Sequence, residues 1–315
     1  MENQTTVAEF ILLRLSNDPQ VQTFLFLVFL LIYLVTLTGN TLIMLVIRAD
    51  SHLHNPMYFF LFHLSFVDLC YSSVTVPKML TDFLSENETI SFHGCIAQMF
   101  FIIFLACTEV FTLSAMAYDR YVAICDPLRY AETMKKAPKG TCVLLEAGAW
   151  TLAILDGLVY TVVVLQLQFC GPNQIHHFSC EPPPLLQLSC TEPLKEQLVL
   201  LTSAVVLGLS SFLLTLISYV LIISTILRIR SAEGRRKAFN TCSSHLSVVG
   251  LLYLTAFFQY TKPSSVSSVV LDELVSIQYS ILTPMLNPII YSLQNKEVKT
   301  ALGRMLGKPR FRSSV

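Results

Sequence analysis

The sequence has 315 residues, of which 53% are apolar and only 13% are charged, and its mean hydropathy is +0.60. Soluble proteins carry about 25% charged residues, so this composition cannot cover a water-exposed surface. The formal net charge is zero, which gives no reason to expect nucleic acid or an anionic substrate as a partner. The charges cluster between long apolar runs, a pattern typical of a helical protein that crosses the lipid bilayer several times.

Seven apolar segments are each long enough to cross the bilayer, because a helix of about 20 residues spans the roughly 30 Å hydrocarbon core. They are residues 24–47, 56–80, 95–118, 141–165, 197–227, 239–260 and 269–293. The prediction is an all-α membrane protein, a seven-transmembrane helix bundle. We divide it into a tail at 1–23, a membrane domain at 24–293 and a C-terminal segment at 294–315.

Lysine and arginine predict the orientation, because short cytoplasmic loops carry the excess of positive charge. Arg14, Lys78, Lys195 and Lys262 fall on one side, and the other seventeen of the 21 fall on the opposite side. The N-terminus is therefore expected outside the cell and the C-terminus inside. Residues 1–20 lack a basic region followed by an apolar core, so we expect the first span to act as its own anchor.

Four of the nine cysteines lie on the predicted extracellular side, where disulfides persist. They are Cys95, Cys170, Cys180 and Cys190. Four cysteines allow three pairings, and spacing alone does not choose among them. Asn3 begins an N-x-T sequon in the exposed tail, which predicts a glycan there. A second sequon begins at Asn87, close to the membrane, and for it the expectation stays open.

The cytoplasmic end of span three carries the string Met-Ala-Tyr-Asp-Arg-Tyr-Val-Ala-Ile-Cys at 116–125. An Asp-Arg pair at a helix end is ordinary, whereas the ten-residue string is not. It closely resembles the signature of olfactory (odorant) receptors, a branch of the rhodopsin-like (class A) G-protein-coupled receptors. Four more segments resemble that family's motifs in the same order, at 39–40, 53–60, 237–245 and 284–291. The resemblance thus covers nearly the whole chain, with departures at Asn240, Gln294 and 252–254.

The resemblance implies a receptor of the plasma membrane, not an enzyme, that activates a heterotrimeric G protein of the olfactory stimulatory type and so raises cyclic AMP. In the family an Asp-Arg pair restrains the resting state, and tyrosines close around the arginine when the receptor is active. The implied coupling residues are Asp119, Arg120, Tyr121, Tyr219 and Tyr291. If the Asp119–Arg120 pair were merely a surface ion pair, it would contribute only about 0–1 kcal/mol.

The family's cysteine pattern also implies which pairing is formed. It joins Cys95 at the top of span three to Cys180 in the second extracellular loop, and Cys170 to Cys190 within that loop.

Two carboxylates, Asp68 and Glu109, fall near the middle of spans two and three, where each ionisable group costs roughly 3 kcal/mol or more. Two buried carboxylates cannot both stay charged without a cation or a proton. With Asn40 and Asn287, placed nearby by the resemblance, they predict a site for a sodium ion or a shared proton. The alternative is a pair that is only hydrogen-bonded. Apart from that sodium ion, no cofactor or metal is predicted, and Glu146 and Asp156 in span four receive no role.

The implied ligand is a small, mainly apolar, volatile molecule bound in the outer half of the bundle, between spans three, five, six and seven. Counting along span three from Arg120, and registering spans five and six on the family's motifs, gives the expected contacts. They are Ile102, Ile103, Ala106, Cys107, Ser203, Leu207, Tyr253, Phe257 and Tyr260. By the resemblance, Ile102 stands where amine receptors of the wider class have an aspartate, so a biogenic amine finds no salt bridge there and is not expected, unless Asp156 faces the same cavity.

After span seven, Asn295 can cap a short amphipathic helix, which we expect to lie along the inner leaflet. A membrane transporter or ion channel using Asp68 and Glu109 is the alternative function. The odd number of spans and the lack of internal repeats count against it.

Overall fold

The computed structural model describes residues 8–85, 88–127, 130, 140–169, 173–190, 192, 194–261, 269–305 and 307. The glycosylation sequons at Asn3 and Asn87, and the predicted disulfide partner Cys170, lie outside these residues. The side chain of Tyr260, a predicted ligand contact, also lies outside the part of the chain that is described.

Six described helices are long and apolar enough to cross a membrane, and a seventh qualifies if a helix bent by 48° counts as one span. They are α1 (Pro19–Ala49), α2 (Pro56–Leu84), α3 (Phe92–Cys125), α4 (Gly140–Val164), α5 (Leu194–Arg228), the bent α6 (Ala232–Thr261) and α7, whose α-helical parts are Val269–Ile277 and Thr283–Gln294. The predicted spans lie within these helices to within one residue. The prediction of an all-α protein with membrane-spanning helices is confirmed, and the predicted seven spans are found when the bent α6 counts as one.

Capping residues explain where the first two helices begin. The carboxylate of Asp18 accepts a hydrogen bond of 2.8 Å from a backbone N–H in the first turn of α1, and Pro19 occupies the first helical position. Asn55 and Pro56 repeat this arrangement at the start of α2. Both fit the general pattern, since a capping side chain satisfies a free N–H and proline has no N–H to satisfy.

A small three-stranded sheet occupies the end of the bundle at which α3 begins. Strand β1 (Glu9–Leu12) lies in the middle, antiparallel to β2 (Thr89–Ser91) and parallel to β3 (Gln174–Ile175). The predicted tail 1–23 therefore contains a strand, which hydropathy did not indicate, and α1 already begins at Pro19. This strand joins the N-terminal segment to both of the first two loops on its side of the membrane.

The aromatic ring of Phe10 anchors β1. Phe10 is 0% exposed, and its ring centroid lies 5.5 Å from that of Phe169 and 6.0 Å from that of Phe92. Because strand pairing alone stabilises such a short sheet weakly, this aromatic cluster supplies most of the apolar burial there.

We expect Phe10→Ala to lower the free energy of unfolding by about 3–5 kcal/mol, because it leaves a cavity among packed rings. Thermal unfolding of the purified protein in detergent measures the effect. Phe24→Ala is the matched control, since Phe24 is an exposed phenylalanine on α1. Equal destabilisation by both variants would contradict a structural role for the sheet.

The inner and outer halves of α5 differ in packing. Ser211, Thr215, Ser218 and Tyr219 in the half that leads to Arg228 are buried, and α3 packs closely against that half. The half that begins at Leu194 contains a π-helical segment, Ala204–Leu209, of which no residue is buried. A second π-helical segment, Gln278–Leu282, interrupts α7. Short π segments widen a helix locally and frequently occur at functional sites.

Candidate functional site

Asp119 and Arg120 form a buried ion pair near the end of α3. The arginine donates from Nη2 to the carboxylate at 2.5 Å and from Nε at 3.2 Å, and Tyr130 donates to the other carboxylate oxygen at 3.2 Å. The two residues are only 7% and 8% exposed. The pair therefore differs from a surface ion pair, because both charges are removed from water and removal of one leaves the other without compensation.

Tyr219 and Tyr291, the tyrosines expected to close around Arg120 in the active state, do not hydrogen-bond to it in this structure. The hydroxyl of Tyr219 lies 2.5 Å from Nδ1 of His245, and Nε2 of His245 lies 3.1 Å from the carbonyl oxygen of Leu113. A carbonyl only accepts, so Nε2 carries the proton and Nδ1 accepts from the tyrosine. The Tyr291 hydroxyl is fully buried with no hydrogen-bond partner among the described residues.

His245 is a functional residue that the sequence analysis placed in a motif without giving it a role. It connects α3, α5 and α6, because it bridges Leu113 and Tyr219. The sequence does contain a signal for this role, a histidine within an apolar helix, because a buried imidazole needs hydrogen-bond partners. In this arrangement the Tyr219 hydroxyl bonds to His245, and Tyr121, the residue after Arg120, is half-buried.

Asp68, Asn287 and Glu109 come together in the middle of the bundle. The amide of Asn287 donates to both carboxylate oxygens of Asp68, at 3.0 and 3.2 Å. Glu109 is close enough for its charge to act on Asp68, and both carboxylates are almost fully buried. Oε1 of Glu109 and Oδ1 of Asn287 have no hydrogen-bond partner among the described residues. These oxygens are the ligand type that a hard cation such as sodium binds.

Asn40 does not hydrogen-bond to the acidic pair. Its amide nitrogen donates to the backbone carbonyls of Thr36 at 3.0 Å and Pro284 at 2.9 Å, so it ties α1 to α7. Its carbonyl oxygen is buried without a partner in the described part of the chain. Asn40 thus supports the helix that carries Asn287, rather than joining Asp68 directly.

Glu146 on α4, to which the sequence gave no role, joins α4 to α3. Its Oε1 accepts from the indole of Trp150 at 2.9 Å and from the hydroxyl of Thr112 at 3.1 Å. Nδ1 of His63 on α2 lies 3.7 Å from the same oxygen. The group is therefore placed to hold three helices together in the bundle interior.

The predicted ligand contacts on α3 and α5 differ in burial. Ile102 is buried, whereas the others on these two helices are only partly buried. These are Ile103, Ala106, Cys107, Ser203 and Leu207. The hydroxyl of Ser203 donates to Asp156 on α4 at 2.9 Å, which brings Asp156 to the predicted cavity wall.

The predicted contacts on α6 are placed differently from the expectation. Phe257 is 67% exposed, and the hydroxyl of Tyr253 donates to Ser211 at 3.3 Å, beside the inner apolar core. The expected positions assume that α6 continues as a straight helix from residues 237–245. Because α6 bends by 48° between Asn240 and Cys242, inside that stretch, a straight count does not describe its outer part.

A disulfide joins Cys95 at the start of α3 to Cys180, with their Cα atoms 5.4 Å apart. The backbone N–H of Cys180 also donates to the side chain of Gln98 at 2.8 Å. Cys190 is disulfide-bonded as well, and its predicted partner Cys170 lies outside the described residues.

Glu181 follows the disulfide and fixes this loop to α7. It is 7% exposed, and its carboxylate accepts from the hydroxyls of Ser179, at 3.1 Å, and of Ser276 and Tyr279. The sequence analysis missed this residue, because a single acid in a loop has no pattern from which a partner could be predicted.

The segment after α7 forms helix α8 (Lys296–Met305). Oδ1 of Asn295 accepts from the backbone of Glu297 at 3.0 Å, which caps its start. Tyr58 on α2 donates to Glu297 at 2.9 Å, and Arg304 pairs with Asp50 at 2.9 Å. These contacts attach α8 to the loop between α1 and α2.

Comparison with known proteins agrees with the motifs in this structure. A family model described as "Olfactory receptor" matches residues 29–308. The mouse (Mus musculus) protein "Olfactory receptor 5G9" is 50% identical over 310 residues, which cover 98% of each chain. The human (Homo sapiens) protein "Olfactory receptor 5A1" is 49% identical over 308 residues, covering 98% of this chain and 97% of that protein. The human "Olfactory receptor 2F1" is 48% identical over 307 residues, covering 98% and 96%.

Matches of this length and identity establish the family. The six or seven helices that are long enough to cross a membrane agree with a multi-pass membrane protein. The chain therefore belongs to the olfactory receptor family, whose members are multi-pass receptors of the plasma membrane and not enzymes.

Proposed function

We propose that this receptor binds a small, mainly apolar, volatile odorant in the outer half of its bundle and activates a stimulatory, olfactory-type G protein, raising cyclic AMP. The observation that carries the proposal is the buried network at the ends of α3, α5 and α6. There Arg120 is engaged by Asp119, and Tyr219 is engaged by His245, so neither is available to a G protein. This arrangement fits a resting switch that ligand binding would open.

The placement of the ligand rests on the difference in packing along α5. The half of α5 near Tyr219 is buried against α3, whereas the π segment Ala204–Leu209 leaves its residues unburied. A ligand pocket needs such a loosely packed region between helices, lined by apolar side chains and a few polar groups. Ser203 and Cys107 are available there as the polar groups.

An extracellular N-terminus supports the same proposal. The sheet that contains β1 lies at the end of the bundle that holds the Cys95–Cys180 disulfide. Disulfides form in oxidising compartments, so this end should face outward and the end with Arg120 should face the cytosol. The basic residues from Arg228 to Lys237, at the end of α5 and the start of α6, would then add positive charge to the surface that meets the G protein.

The experiment that tests the proposal is a cyclic-AMP assay in transfected cells, with a panel of small volatile compounds. We expect concentration-dependent cyclic AMP that requires co-expression of a stimulatory G protein. A transporter or channel is not favoured by the family, and it would instead give flux across vesicles without a G protein. Flux without nucleotide exchange on a G protein would contradict the proposal.

We propose further that Asp68, Glu109 and Asn287 hold a sodium ion or a shared proton that stabilises the resting receptor. Asp68→Asn should therefore change basal cyclic AMP and its dependence on sodium more than it changes which odorants activate. The physical reason is that the amide removes a negative charge without changing the shape of the site. Basal activity in sodium and in choline buffers measures this. An unchanged sodium response would favour a pair that is only hydrogen-bonded.

A further inference from the structure

The most informative unassigned group is the carboxylate of Asp156 in the outer part of α4. Eight residues separate it from the end of α4 at Val164, which corresponds to about 12 Å at 1.5 Å per residue. Ser203 lies nine residues, or about 14 Å, into α5. The two side chains therefore meet at a similar depth, where their hydrogen bond crosses from α4 to α5 at 2.9 Å.

The hydrogen bonding of this carboxylate is incomplete. A carboxylate has room for about four donors, yet among the described residues Asp156 receives one hydrogen bond, from a neutral hydroxyl. Glu181 receives three and Glu146 receives two from their surroundings. Asp156 is also only partly buried, whereas Glu181 and Glu146 are buried. A donor is therefore missing at Asp156, and space remains beside it.

The surroundings of Asp156 include the predicted ligand cavity. The next residue, Gly157, lies against the ring of Phe100 on α3, and Asp156 itself bonds to Ser203 on α5, so the carboxylate lies near both helices. The π segment of α5 begins at Ala204, directly after Ser203, and none of its residues is buried. No heavy atom lies within 4 Å of the position that a Cβ would occupy on Gly208 in that segment. Asp156 and Ser203 thus present hydrogen-bond acceptors, because the proton of Ser203 is already donated to Asp156.

We propose that Asp156 and Ser203 form the polar end of the odorant pocket and select odorants that carry a hydroxyl group, alcohols or phenols. This inference rests on the proposed odorant-binding function and specifies its ligand class. A ligand hydroxyl donates to the unfilled carboxylate oxygen, while the single proton of Ser203 stays on its hydrogen bond to Asp156. An ether, ester or ketone can only accept, so it leaves the carboxylate without a donor. Sites built to bind a ligand hydroxyl discriminate strongly against analogues that lack it, because their buried polar groups stay unpaired.

The test compares each of a panel of small alcohols and phenols with its own methyl ether, which has nearly the same shape but no donor. Cyclic AMP in transfected cells gives the potency, and thermal stabilisation of the purified receptor reports binding without any G protein. We expect wild-type potency for the active alcohols to exceed that of their ethers by about tenfold or more. Asp156→Ala should remove this difference, and Asp156→Asn should keep part of it, because the amide oxygen still accepts.

Thr151→Ala is the matched control, since Thr151 is an exposed polar residue of the same helix whose hydroxyl bonds only to its own backbone. It should leave the alcohol-to-ether ratio unchanged. Alcohols that stabilise the purified wild-type receptor but not Asp156→Ala would support the inference even if no cyclic AMP were produced, so binding and signalling can fail separately.

Three outcomes would overturn the proposal. In the first, ethers equal alcohols in the wild type; in the second, no alcohol activates or stabilises it. In the third, only amines act and Asp156→Asn abolishes their effect. That last result would assign a cationic ligand to the same carboxylate while leaving the odorant-receptor function intact.

Discussion

Arg120→Ala is expected to abolish odorant-evoked cyclic AMP while receptor still reaches the cell surface. Arg120 is the cation held by Asp119 in the resting structure, and we propose that it moves to the G protein on activation. A truncated side chain can make neither contact, so the response should fall below detection rather than shift in potency. Cyclic AMP normalised to surface receptor, measured by labelling intact cells, provides the test.

Two further variants separate signalling from folding. Arg120→Ala leaves the buried carboxylate of Asp119 without its cation, which typically costs about 3–5 kcal/mol. Arg120→Ala with Asp119→Asn removes that unpaired charge, so surface expression should recover while signalling stays absent. Asp119→Asn alone should raise basal cyclic AMP, because it releases Arg120. Lys299→Ala, at an exposed position of α8, should signal normally. A full response from surface-expressed Arg120→Ala would contradict the assignment of Arg120 as a residue that contacts the G protein.

Loss of the Cys95–Cys180 disulfide is expected to remove most receptor from the cell surface. The bridge spans 85 residues of sequence, and closing a loop of this length in the unfolded chain contributes a few kcal/mol, about 2–5 in most native proteins. Both cysteines are fully buried. Cys95→Ala and Cys180→Ala should each lower surface labelling and the thermal unfolding temperature to a similar extent.

The double variant distinguishes loss of the disulfide from two separate packing defects, because either single substitution already removes the whole disulfide. Cys95→Ala with Cys180→Ala should be no worse than either single variant, whereas two independent packing defects would add. Cys70→Ala, which removes a free thiol, should express normally. Peptide mapping of the non-reduced protein should recover Cys95 joined to Cys180, and a Cys95–Cys190 peptide would contradict the structure.

Hydropathy and motifs predict a large part of this fold, because a bilayer demands long apolar helices and leaves few other solutions. The spans, and the caps such as Asn295, follow from local residue types. Strand β1 does not, because its partners at 89–91 and 174–175 are far away in sequence and its pattern is too short to be recognised. The π-helical segments cannot be predicted from the sequence either, because their residue types are equally compatible with an α-helix.

The candidate site shows the same limit at the level of side chains. The resemblance brought Asp119, Arg120 and Tyr219 to attention, but not the bond between Tyr219 and His245 that holds the tyrosine in this structure. Asp156 and Ser203 stand 47 residues apart, and no periodicity joins two different helices. Contacts of this kind depend on how helices rotate and tilt against each other, which a count along one helix does not contain.

The pairing of β1 with β3 sets an order of events during biosynthesis. Ile11 pairs with Gln174, so completion of the sheet must wait until four membrane helices and the first part of the following loop have been made. With synthesis at about 5–20 residues per second, this wait lasts roughly ten to thirty seconds. With the proposed orientation, β1 and Phe10 face the lumen of the endoplasmic reticulum during this interval without β3 and Phe169 as partners. A luminal chaperone that binds aromatic segments could bind the N-terminal segment during that interval. Epitope tags should be attached before Glu9, where they do not prevent β1 from pairing with its neighbouring strands.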